Sequence, residues 1–377
     1  MTAGRRLRLC LIVALLLAVS GGSGLARKKD RGVHPSTFPP WVKEAIARAP
    51  ESSEHDVVWL HEERIVRPER AGGVTVIRRL AGKVSKPSGL DALGARALYF
   101  HKGDDVRELE AWTLRPDGSG RRADPKDDVV ESPAIGDELS FSDQRVRVVE
   151  AQGAVVGAIV AFEDVTVEQL DVGVEWLTFG YGARPTLYTR FELQVPTDWE
   201  WEITPVRGDS LRVEETKTGR AYVARELQPI PKEPGRPSAD RILPQVWARW
   251  RSPDGERGFA DWNAVGLWNR EMSEAVMEEP GEAAQLAEKL KPAGPEELLP
   301  ALERAFEFAA RDVSYVAIDV GLGIGAGYRA ASPASVCEKR YGDCKDKAFL
   351  MRALASPWGL ETYPVLVRTR ELGPLQR

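Results

Sequence analysis

The chain has 377 residues, 43% of them hydrophobic and 29% charged, the balance of a folded protein of two or three domains and not of a disordered one. A formal net charge of −5 without any basic stripe excludes nucleic acid as the expected partner. Three cysteines in so long a chain exclude a disulfide-built scaffold. "MTAGRRLRLCLIVALLLAVSGGSGLA" (1–26) places Arg5, Arg6 and Arg8 around the start of an apolar run from Leu7 to Val19, with small residues up to Ala26. That order predicts a signal peptide and an exported chain, periplasmic or secreted. The run is short for a membrane span, so an uncleaved anchor is the lesser alternative, and no span is expected in the mature chain. Cys10 falls inside this segment, leaving Cys337 and Cys344.

Residues 27–55 read as a polar, proline-rich lead-in ending in a short helix, "WVKEAIARA". Residues 56–228 are rich in Val, Ile, Thr and aromatics with frequent turn signals such as "RPDGSG". They predict an antiparallel β-sandwich-like domain of unreadable strand order. Residues 229–260 form a proline-rich boundary carrying one more strand, "QVWARW". The period then changes. "DWNAVGLWNREMSEAV" sets Trp262, Val265, Leu267, Trp268 and Met272 at near-helical spacing, and "EAAQLAEKL" reads as a short helix. "GPEELLPALERAFEFAARD" is a further helix with Pro295 at its start. Pro300 costs about 3 kcal/mol in a helix interior, so it predicts a kink or a restart. "VSYVAIDV" reads as a strand. "SPASVCEKR" reads as a helix with Ser332 as N-cap and Pro333 at its first position. A helix over "CKDKAFLMRAL" and a strand over "TYPVLVRT" complete an α+β region, 261–377.

Asp343 can cap the helix that Cys344 opens, with Asp346 echoing a capping box. Ala348, Met351, Leu354 and Ala355 would form its apolar stripe. In the first turn the free backbone N–H groups and the helix dipole favour an anion, and helix N-termini lower a thiol pKa from about 8.5. Lys345 and Lys347 would help; Asp343 and Asp346 would oppose. The Cys344 N–H could serve an oxyanion. These features suit a thiolate that forms an acyl-enzyme. The competing reading is a structural cysteine.

"VSYVAIDVGLGIGAGYRAASPASVCEKRYGDCKDKA" with "YPVLVRTR" resembles bacterial transglutaminase-like proteins, papain-related cysteine enzymes, over residues 295–377. "PDGSG", "GAVVGAIVAFEDVTV", "RFELQVP" and "DWNAVGLWNR" resemble the poorly characterised β-rich domain that precedes this module in exported bacterial proteins. The resemblance implies a Cys344 nucleophile and acyl transfer from a peptide or protein amide, by hydrolysis or transamidation. It also implies a histidine and an aspartate on later strands. No histidine follows Cys344; the four are His34, His55, His61 and His101. The module therefore reads as incomplete, with activity impaired. Truncation, degeneration to a non-catalytic cell-envelope binding protein, and a base supplied by another chain are the alternatives, the first preferred.

Tyr341 and Tyr328 could donate to an oxyanion or line the cleft. "GLGIGAG" (321–327) fits G-x-G-x-x-A at Gly321, Gly323 and Ala326, but "YRAASP" follows instead of a helix, so a cleft loop is expected, not a dinucleotide site. Cys337 reads as a core residue, or else as a disulfide partner of Cys344. Two cysteines without a nearby histidine make no zinc site, and neither metal nor cofactor is expected. Trp199, Trp201, Trp262 and Trp268 are expected to pack in cores or between domains.

Overall fold

The computed structural model describes residues 32–134, 140–169, 173–180, 182–231, 233–255, 257–278, 281–319, 329–365 and 367. The predicted signal peptide, the loop 321–327 and Tyr328 lie outside them. Among the described residues no helix is long and apolar enough to cross a membrane.

The β-rich region is built on a nine-stranded sheet. At its centre Val57–Pro68 and Val74–Val84 pair antiparallel across a tight turn, closed by Glu69 N–H donating to Gly73 O at 3.0 Å. Gly73 is required there: its φ is +77°, and a Cβ would fall 2.8 Å from the Glu168 carbonyl. Ile159–Glu168 and Asp105–Leu114 extend the sheet on one side, Thr186–Gln194 and Gly219–Leu227 on the other. The predicted turn "RPDGSG" forms, with Gly118 N–H donating to Arg115 O at 3.0 Å. One pair departs from the antiparallel expectation: Thr186–Gln194 runs parallel to Val57–Pro68. The reason is the route of the chain. It leaves the sheet at Glu168, passes through Val174–Thr178 in a second layer, and re-enters in the direction in which it left.

Two three-stranded sheets cover one face of the large sheet. Ala95–Phe100, Arg145–Glu150 and Val129–Pro133 pack Leu98 and Val149 onto Leu80, Val84, Val160 and Phe162. Val174–Thr178, Gln245–Arg251 and Glu200–Val206 pack Leu177, Val246 and Trp250 onto Val74, Val76, Phe191 and Leu193. Each such fully buried side chain contributes about 1.5–3 kcal/mol. Asp164, 1% exposed, is held on this face by Arg78 at 3.2 Å and Arg96 at 2.9 Å. The helix Pro40–Ala47 covers the other face, setting Trp41 and Val42 against Leu60, Ala81, Trp112 and Ala161.

The C-terminal region is helical and alanine-lined. Gly281–Leu290, Leu298–Glu307, Pro333–Lys339 and Cys344–Ala355 share a core of Ala283, Ala287, Ala305, Ala353, Phe308, Leu350 and Leu354. Small side chains let these helices approach closely around the few large ones. The helix restarts beside Pro300, as expected: a 3-10 turn over Pro295–Glu297 gives way to the α-helix Leu298–Glu307, two residues before the proline. The proline occupies the first turn of Leu298–Glu307, where its missing N–H has no intrahelical acceptor to lose. A further irregularity comes later, as a π turn over Phe308–Asp312. Trp199 is buried and Trp201 packs beside it, as expected, and Trp268 meets Phe259 at 5.4 Å. Trp262, at 68% exposed, is not a core residue.

"TYPVLVRT" is not a strand in its described residues, 362–365 and 367. Tyr363, Val365 and Val367 are more than two thirds exposed. Propensity alone does not make a strand, which needs a partner for its N–H and C=O groups, and Pro364 removes one donor. "VSYVAIDV" forms two short strands that join three parts of the molecule. Ser314–Tyr315 pairs parallel with Tyr341–Gly342, and Ala317–Asp319 pairs parallel with Ser140–Ser142 of the β-rich region.

Candidate active site

The helix Cys344–Ala355 starts as its sequence demands. Asp343 accepts from the backbone N–H of Lys345 at 3.1 Å and of Asp346 at 3.3 Å. Asp346 returns the bond, accepting from Asp343 N–H at 2.9 Å and also from Ala331 N–H at 2.7 Å. This is a complete capping box, stronger than the echo read from the sequence. Both carboxylates are buried, at 5% and 1% exposed, so they serve the backbone and not a ligand. Gly342 permits the arrangement, because a Cβ there would lie 2.8 Å from Asp346 Cβ. The buried face differs from the expected stripe: Phe349, Leu350, Ala353 and Leu354 face the core, with Ala355, while Ala348 is exposed. The capping box sets the phase, because it turns Asp346 inward and Cys344 outward.

Cys344 is exposed and free, on the first residue of the helix. Cys337 is free and buried in the helical core, so there is no disulfide between them. Burial pushes the Cys337 thiol up, against the pull of Arg340, and Glu282 adds to the rise. The lysines beside Cys344 are both engaged. Lys345 Nζ pairs with the Asp343 carboxylate and lies 3.5 Å from Ile318 O, and Lys347 Nζ donates to Val313 O at 2.7 Å.

Tyr315 was not readable as a site residue. Ser314 N–H donates to Arg340 O at 2.8 Å and Val316 N–H to Gly342 O at 3.1 Å, which sets Tyr315 opposite Gly342 in the parallel register. Its phenol lies within electrostatic reach of the Cys344 thiol. Desolvation, then the negative charge of the Cys344 thiolate, raises the Tyr315 phenol above the usual tyrosine range, and Asp343 adds to this. Tyr341 lies in the same bridge, opposite Ser314.

Among the described residues no histidine bonds Cys344. His34 caps the turn Pro35–Thr37, and His55 lies 3.8 Å from Glu54. His61 is buried between Trp41 and Tyr188, with ring centroids 5.3 and 5.0 Å away. His101 Nδ1 sits 3.0 Å from Asp143. Asp143 follows the strand that pairs with Ala317–Asp319, so this pair comes closer to the thiol than the sequence gave reason to expect. Tyr315 and Asp319 are still separated by about 13 Å of strand, at about 3.3 Å per residue. No group of three or more metal-ligating side chains occurs among the described residues.

Residues 70–232 match a domain of unknown function with a solved structure, DUF3857. The DUF3857 match covers much of the nine-stranded sheet and stops short of the thiol helix. No curated protein matches the sequence. The fold is similar to the crystal structure of a candidate protease from Parabacteroides distasonis, with a TM-score of 0.62 and 12% identity over 81% of this chain and 59% of that one. The chain thus spans about three fifths of that structure's length. It also overlaps an M1 zinc metallopeptidase from Deinococcus radiodurans (TM-score 0.28, 11% identity, 55% of this chain and 45% of that one). A leukotriene A4 hydrolase from Saccharomyces cerevisiae overlaps to a similar degree (TM-score 0.29, 13% identity, 58% and 35%). Scores this low carry no argument about fold. None of the three is described as a transglutaminase.

Proposed function

We propose that the chain is an exported cysteine acyl-transfer protein of transglutaminase-like type, acting on a peptide or protein amide through Cys344. The observation that carries this reading is a free, exposed thiol on the first residue of a helix whose neighbouring carboxylates, Asp343 and Asp346, are buried in the cap and whose first-turn lysines, Lys345 and Lys347, are engaged elsewhere. A structural cysteine has no need of that exposure; Cys337, seven residues earlier, shows what one looks like. The thiolate attacks the acyl carbon and an S–C bond forms. The carbonyl π pair moves to oxygen and returns as the C–N bond breaks, and the leaving amine takes a proton from solvent water. Water or a second amine then resolves the thioester.

Loss of a general base from such a site costs orders of magnitude in turnover. With no histidine at the thiol among the described residues, the 377-residue chain acylates and then stalls. An activated ester tests this. With p-nitrophenyl acetate the chain should release one equivalent of p-nitrophenolate in a burst with little turnover afterwards, and Cys344→Ser should release none. A burst that survives Cys344→Ser would sink the reading. It would leave the second one, an envelope-binding protein with a silent thiol, which the lack of any histidine bonded to Cys344 among the described residues favours.

A further inference from the structure

We propose that Arg48 and His61 form a pH-sensitive latch on the N-terminal helix: the Arg48 guanidinium and a proton compete for the lone pair on His61 Nδ1, and when the proton takes it the helix Pro40–Ala47 loosens from the sheet. The latch is independent of the chemistry at Cys344.

Arg48 ends the helix, and its backbone N–H closes the last turn onto Ala45 O and Ile46 O. Its side chain reaches down to the sheet, where Nη1 lies 3.2 Å from His61 Nδ1. His61 follows the register shift after Trp59 and is 3% exposed, its ring packed against Trp41 of the helix and Tyr188 of the sheet. A guanidinium only donates, so Nδ1 accepts and the imidazole is neutral, with its proton on Nε2. Nε2 lies 3.9 Å from Glu63 Oε2, too far for a hydrogen bond, and has no hydrogen-bond partner.

A histidinium reverses both relations. It carries a proton on Nδ1, where Arg48 donates in the latched chain, and its charge is drawn to Glu63. The surrounding charges come from each packed element. The helix supplies Arg48, itself 3.4 Å from Glu44. The histidine's own strand supplies Glu63, which accepts from Arg79 at 2.8 Å and from Arg190 at 3.0 Å. Tyr188 carries Arg48 over its ring at 4.4 Å and Arg225 at 5.0 Å. Glu63 draws the proton on, and Arg48 keeps it off. The loosened state holds one proton more than the latched state, so loosening is favoured as pH falls. What it uncovers is apolar: Trp41 and Val42, 7% and 1% exposed beneath the latched helix.

Hydrogen exchange read by mass spectrometry tests the latch between about pH 8 and pH 5, the interval in which histidines change charge. After correction for the intrinsic pH dependence of exchange, protection of the peptide spanning 40–48 should fall at least about tenfold toward acid, which corresponds to one unit of difference in proton affinity between the two states. Protection of 74–84 should stay level; an equal fall there would mean general loosening and overturn the latch. His61→Gln keeps an acceptor for Arg48 and a donor toward Glu63 but takes up no proton, and its protection should not change with pH. Arg48→Gln removes the competing charge from the part-exposed end of the helix and should also be level, deciding the matter even where the buried substitution unfolds the chain. A fall that persists in either variant would assign the effect to another group, such as His34 in the turn before the helix, and overturn the inference. Level protection in the unaltered chain would overturn it too.

Discussion

The two halves of this chain treat charge in opposite ways. The β-rich region puts charged side chains inside and pairs them across strands. Asp164 joins Arg78 and Arg96, and Glu63 joins Arg79 at 2.8 Å and Arg190 at 3.0 Å. The helical region has a core of alanine, leucine and phenylalanine, and its buried carboxylates are gathered at one place, the cap beneath Cys344. Buried ions in the first half hold sheets together. Those in the second fix the start of one helix and leave a thiol standing clear of it. The comparison teaches that buried charge marks the scaffold here, and that the proposed chemistry lies where buried carboxylates bond backbone N–H groups.

Breaking the scaffold should cost most. Asp164→Ala takes the buried partner from Arg96 and leaves Arg78 with Glu168 and Thr166, and should lower unfolding stability in urea by about 3 kcal/mol. Below its melting range the variant should still acylate at Cys344 at the unaltered rate. A parallel loss of acylation would mean that the two halves are not separable in this way.

Acid offers a finer cut. Burial alone would push the Glu63 carboxyl up. His61, 3.9 Å away and an ion-pair partner when protonated, and Arg79 more than offset it and hold Glu63 at about 2 against an ordinary 4.5. A lowered folded-state pKa contributes stability that is present above the unfolded value and lost as pH falls through the folded one. The β-rich region should therefore lose on the order of 3 kcal/mol between pH 4.5 and 2. Glu63→Gln should flatten that limb of a pH-dependent urea titration. A limb of unchanged slope would remove Glu63 from the account.

The smallest expected effect on stability falls on the helical side. Asp343→Ala removes the N-cap and should cost about 1 kcal/mol. It should also slow acylation well out of proportion, because the first turn that presents Cys344 frays. Asp343→Asn, which keeps a capping oxygen, should recover most of the rate.

What was legible in the sequence was local. Ser332 and Pro333 announce a helix and form one, with Ser335 N–H donating to the Ser332 hydroxyl at 3.3 Å. Asp343, Cys344 and Asp346 announce a capped thiol helix and form one. The repeated Val and Ile runs with turn signals between them give the sheet, though not its order. What escaped was set by partners far off in the chain. Tyr315 reaches Cys344 through a parallel bridge whose two sides carry no matching signal. The pairing of Ala317–Asp319 with Ser140–Ser142 joins segments more than 170 residues apart, and three-residue strands have no period to read. The described residues of "TYPVLVRT", 362–365 and 367, fail for the complementary reason: they have the residues of a strand and pair with no described neighbour.

The central claim is that Cys344 alone carries acyl chemistry. After a short exposure to p-nitrophenyl acetate, quenching and peptide mapping should find a single acetyl group on Cys344, removed by hydroxylamine as a thioester is. Acetyl groups confined to Lys345, Lys347 or other amines, stable to hydroxylamine and with Cys344 unmodified, would contradict it.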